Sequence, residues 1–122
     1  MEWTLIDYAS KSHYDDHYTS NTNIYRKYIN KSTVNLSQYK FLVVVLVLAS
    51  TTPNNKIVEA TIFAPVSYFN LNPSGTTTYI AQNHISEYYL VTFGHVSNLY
   101  YLDAGSTSSS YDTMETYLYG IK

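Results

Sequence analysis

Phe41-Leu42-Val43-Val44-Val45-Leu46-Val47-Leu48-Ala49 is the stretch on which the fold turns. It is apolar without interruption, and its β-branched valines favour an extended strand over a helix. A strand alternates its side chains between two faces, so an unbroken apolar run needs cover on both. Leu42, Val44, Leu46 and Leu48 would use one cover, and Val43, Val45 and Val47 the other. The run falls far short of the ~20 residues that a membrane-spanning helix requires.

Downstream, the turn-forming cluster at 50–55 leads into residues 56–64, where Val58, Ala60, Ile62 and Ala64 alternate with Glu59 and Thr61. This predicts a hairpin whose second strand is half exposed. Residues 66–71 and 76–81 flank Asn72-Pro73-Ser74-Gly75, a turn sequence, and read as a second hairpin. Residues 88–93 and 99–102 read as a third, in which the pairs Tyr88-Tyr89 and Tyr100-Tyr101 could face each other.

Upstream, residues 3–8 read as a short strand and residues 10–22 as a loop or short helix. Thr22 suits a helix N-cap, and Ile24, Tyr25, Tyr28 and Ile29 follow at helical spacing, which predicts a helix over 22–31. At the other end, Ser109 and Asp112 have capping-box spacing, and Tyr111, Met114, Tyr117 and Leu118 form an apolar stripe closed by Gly120. A C-terminal helix is expected there, although Met114, Thr116 and Leu118 also fit the alternation of a strand. The whole reads as one α+β domain, residues 1–122. Its core is a mainly antiparallel meander of five to six strands with one helix in the N-terminal half and one at the C-terminus. The alternative is a small closed β-barrel.

Composition narrows the function classes. Cysteine is absent, which excludes disulfides, thiolate nucleophiles and Cys-based zinc sites. Charged residues make up only 13% of the chain, against about 25% ordinarily, while there are 15 tyrosines. The surface must be covered largely by Ser, Thr, Asn and tyrosine hydroxyls, a chemistry suited to contact with another macromolecule. Charge is also divided along the chain. Residues 18–58 carry Arg26, Lys27, Lys31, Lys40 and Lys56 and no acid, whereas residues 59–121 carry five acids and no base. The N-terminus lacks the basic and apolar pattern of a secretory signal, so an intracellular setting is expected, host cytoplasm or virion if the chain is viral.

Three constellations could carry chemistry. His13 and His17 would share a face on a helix, with Asp16 adding an oxygen, a weak candidate metal set. Tyr14 stands where the zincin pattern needs Glu, so no metalloprotease motif is present. His84 and His95 could act as acid and base in a metal-independent nuclease, but they flank one strand, whose opposite ends are tens of ångströms apart. Tyr25, Arg26, Lys27 and Tyr28, with Lys31 and Lys40, interleave bases and aromatics in the manner of phosphate or nucleotide binding. A helix with its Tyr and Ile side in the core and its basic side in water explains the same residues.

No cofactor is implied. The favoured expectation is a non-enzymatic interaction protein, an assembly component or inhibitor-like binder, whose partners are another protein and its own copies. Nucleic acid or nucleotide is possible and a membrane is not expected. The composition broadly resembles that of small products of AT-rich viruses and mobile elements. An open meander with no lysine in residues 66–110 would expose pairing edges, so a homo-oligomer is expected, with Tyr88, Tyr89, Tyr100 or Tyr101 in its interface.

Overall fold

The computed structural model describes residues 2–10, 13–19, 23–49, 57–67, 77–84, 88–106 and 113–122. Among the described residues nine strands are present: β1 (Trp3–Ala9), β2 (Asp16–Thr19), β3 (Asn23–Asn30), β4 (Phe41–Ala49), β5 (Ile57–Pro65), β6 (Thr77–His84), β7 (Tyr88–Val96), β8 (Leu99–Ser106) and β9 (Thr113–Ile121). They form two open antiparallel sheets, a four-stranded sheet A in the order β1-β9-β4-β5 and a five-stranded sheet B in the order β2-β3-β8-β7-β6. A single buried cluster joins the sheets. Leu42, Val44, Leu46, Leu48, Ile62, Ala64, Met114 and Leu118 of sheet A meet Ile29, Val91, Phe93, Leu102 and Ala104 of sheet B.

The architecture corrects the α+β reading. Both predicted helices are strands, and the closed-barrel alternative fails because each sheet ends in free edge strands. Residues 23–30 form β3, where Tyr25, Lys27 and Ile29 pair with Ala104, Leu102 and Tyr100 along β8. Lys27 among these core-side positions masked the alternation, and Ile24, Tyr25, Tyr28 and Ile29 then imitated a helical period. In an isolated helix of that length few residues would bury anything, whereas in the sheet β3 is paired along its whole length by β8 and over Asn23–Arg26 by β2. Residues 113–121 form β9, with Met114, Thr116 and Leu118 buried in alternation. Lying between β1 and β4, β9 satisfies its backbone on both sides and brings the two ends of the chain together.

The hairpin of β4 and β5 has the expected partners, from Phe41 opposite Pro65 to Ala49 opposite Ile57. The hairpin of β7 and β8 is present too, but in its register Tyr100 and Tyr101 oppose His95 and Gly94, not the tyrosines at 88 and 89. The second predicted hairpin falls mostly outside the described residues. Its later strand, β6, pairs with β7. Only β6, β7 and β8 follow meander order, because the chain passes between the sheets four times, after β1, β3, β5 and β8.

Candidate functional site

Alternation in β4 sends Leu42, Val44, Leu46 and Leu48 into the core, where they are fully buried. The other side of the same strand is treated differently. Val43 is buried, but Phe41, Val45 and Val47 are only half-buried on the outside of sheet A. The register lines up neighbours of the same kind. Leu5, Tyr119, Val43 and Phe63 form one row across the four strands, and Tyr8, Tyr117, Val45 and Thr61 form the next.

A bulge in β1 between Leu5 and Asp7 makes this arrangement possible. The extra residue lets Ile6 pack against the core while Leu5 and Tyr8, three apart, both remain opposite outward-facing tyrosines. The Tyr8 N–H donates to Asp7 Oδ1 at 2.9 Å within the bulge. The rings are organised into contacts. Trp3 meets Tyr119 edge-on at 5.6 Å, Tyr8 meets Tyr117 at 5.0 Å, and Phe41 stacks on Phe63 at 4.8 Å. The Tyr117 hydroxyl donates to Glu115, whose acceptor oxygen favours the protonated phenol and pushes its pKa up to about 12.

Much of this face is bare: Trp3 is 51%, Leu5 53%, Tyr8 37% and Phe63 58% exposed. With roughly 150–250 Å² for each aromatic side chain, these four residues leave about 400 Å² of largely apolar surface open, and the half-buried neighbours bring it to about 600 Å², the upper end for a monomer's largest patch. Chemically, such a face can exclude water from a complementary surface.

The residues expected to carry chemistry are placed elsewhere. Arg26, the protein's only arginine, donates from Nε to Asp103 Oδ1 at 2.7 Å and from Nη2 to Oδ2 at 2.9 Å, with its guanidinium 4.0 Å above the Tyr101 ring. Asp103 and Tyr101 are buried. Lys31 donates from Nζ to the Ser97 carbonyl at 2.8 Å and lies 3.1 Å from His95 Nδ1, and its own N–H donates to the Asn98 carbonyl at 3.0 Å. It thus clamps the β7–β8 turn, where Ser97 holds a positive φ of 54°, the conformation that a two-residue hairpin requires. Tyr25 packs against the core and Tyr28 lies on the opposite face of β3. Lys27 lines a cleft of about 430 Å³ with Asp7 and Tyr28, and Lys40 is exposed beside Phe41 at the start of β4. The interleaved run is therefore divided among two faces and two ends of the molecule.

The histidines are also dispersed. His95 is buried and pairs in register with Thr77, whereas His84 ends β6 seven residues further along, roughly 23 Å at ~3.3 Å per residue. His13 shares a hydrogen bond of 2.5 Å with Ser10, and His17 stacks on Tyr25 at 4.0 Å. The helix that would have aligned them with Asp16 is strand β2 and the segment before it. Among the described residues, no group of three or more His, Asp or Glu gathers as a metal set. Of the tyrosines expected at an interface, Tyr101 is buried beneath Arg26 and Tyr100 stacks on Phe93 at 5.7 Å, its pKa raised by burial. The side chains of Tyr88 and Tyr89 lie outside the described residues.

Trp3, Leu5, Phe63 and Tyr119 carried no motif in the sequence, and Tyr117 entered only through the stripe of the expected C-terminal helix. Their signal was the second apolar face of residues 41–49, which called for a cover without naming the strands around it. No family model, no curated protein and no solved structure matches the chain. Among the described residues, no helix is long and apolar enough to cross a membrane.

Proposed function

We propose that this chain is a non-enzymatic protein-binding domain whose contact surface is the outer face of sheet A. The observation that carries the reading is the contiguous aromatic and aliphatic patch spanning β1, β9, β4 and β5, with Trp3, Leu5, Tyr8 and Phe63 open to solvent. Interfaces are enriched in aromatic residues and depleted of charge at their centres, and this face has both properties. Rigid tyrosine and tryptophan rings give contact area at low entropic cost. An assembly component or an inhibitor-like binder of a virus or mobile element would use such a surface. Binding of nucleic acid is less well supported, because Arg26 is engaged by Asp103 and Lys31 by the β7–β8 turn, leaving no row of bases along one face among the described residues.

Immobilised parent protein and two variants, each exposed to lysate of the native source, test the reading. Leu5→Lys with Phe63→Lys should keep the fold, since both side chains are more than half exposed, and should lose the captured partner. His84→Ala with His95→Ala should retain it wherever folding is retained. Capture that survives the lysines but not the folded histidine variant would refute the proposal.

A further inference from the structure

We infer that the outer face of sheet A is covered by a second copy of this chain, docked face to face about a two-fold axis. The inference rests on the reading of that face as a contact surface and adds its occupant.

Residues 41–49 need cover on both sides, and sheet B supplies only one. Phe41, Val45 and Val47 keep their outer sides half-open. The patch of about 600 Å², with its polar rim, approaches the ~800 Å² per partner of a standard stable interface. A second copy brings an identical aromatic surface, as two-fold association requires.

The alternative route to self-association, strand addition at an edge, is obstructed on this sheet. Edge strand β1 carries the bulge at Leu5 and Asp7, and edge strand β5 ends in Pro65. Both features are devices that blunt an edge. The face is left as the open surface of sheet A.

Sedimentation equilibrium over a micromolar concentration series, with acrylamide quenching of Trp3, tests the inference. Trp3 is the only tryptophan and lies on the proposed interface, so its fluorescence reports on that face alone. A dimer is expected, with quenching of Trp3 reduced several-fold as it forms. Phe63→Arg, or Leu5→Arg on the opposite edge strand, should give a folded monomer by circular dichroism with Trp3 fully quenchable.

A dimer whose Trp3 stays quenchable, or that survives both arginine substitutions, would overturn the inference. So would a monomer at every concentration. If that monomer still loses its captured partner on Leu5→Lys with Phe63→Lys, the second copy is refuted and the contact surface stands. If it does not, both fail.

Discussion

Removing Arg26 isolates the energetic role of the one arginine in the protein. Arg26 and Asp103 are cross-strand partners on β3 and β8, joined by two hydrogen bonds of 2.7 and 2.9 Å, and the Asp103 side chain is only 8% exposed against 24% for Arg26. Arg26→Ala strands a carboxylate among buried neighbours, with Tyr101 and Thr92 beside it in the sheet. Breaking a buried pair from one side costs about 3–5 kcal/mol, a large part of the roughly 5–15 kcal/mol that holds a domain together. Replacing both partners by apolar residues of similar size, Arg26→Met with Asp103→Leu, removes the stranded charge and should recover most of the loss. In urea titrations with a slope of ~1–3 kcal/mol/M, the single variant's midpoint should fall by roughly 2 M at unchanged slope, and the double variant's by much less. A loss under about 1 kcal/mol for Arg26→Ala would refute the reasoning, since it is the size expected of an exposed pair. A double variant no more stable than the single one would refute it too.

Gly120 tests the packing at the join of the chain ends. A Cβ there would lie 2.5–2.7 Å from the Tyr39 ring, so Gly120→Ala should cost about 1–3 kcal/mol in chemical denaturation, with part of that cost absent in a Tyr39→Leu background; full parental stability would contradict it. Alkaline pH tests two phenols. Tyr117 is raised to about 12 by its bond to Glu115, and Tyr14 is raised further by burial, while in the unfolded chain both ionise near 10. The folded state holds these protons more tightly, so their contribution is complete below about pH 10 and is lost as pH rises toward 12 and beyond. The melting temperature should fall through that window alongside the growth of tyrosinate absorbance, and Tyr14→Phe should lessen the fall. A flat melting temperature across the window would exclude the effect.

Local pattern in the sequence determined a good deal of this protein. The apolar run 41–49, the alternation beyond it and the turn residues between them specify the β4–β5 hairpin, because side-chain period and turn chemistry are properties of a few adjacent residues. The same holds for β1 and for the pairing of β7 with β8. Where two periods fit the same letters, as at 23–30 and 113–121, only tertiary structure decided. β3 and β9 are strands because neighbours take up their backbone groups, β8 along all of β3 and β1 and β4 on the two sides of β9, and those neighbours are distant in sequence. The division into two sheets likewise depends on long-range pairing that no local signal encodes.

The candidate surface follows the same rule. That Val43, Val45 and Val47 form a second apolar face is written in their spacing, as is the need to cover it. That Trp3, Leu5, Phe63, Tyr117 and Tyr119 extend it, while Arg26 turns to Asp103 and Lys31 to Ser97, was set by register alone. A shift of one residue in strand pairing exchanges the inner and outer sides of a strand, so the composition of a face is a property of the assembled sheet.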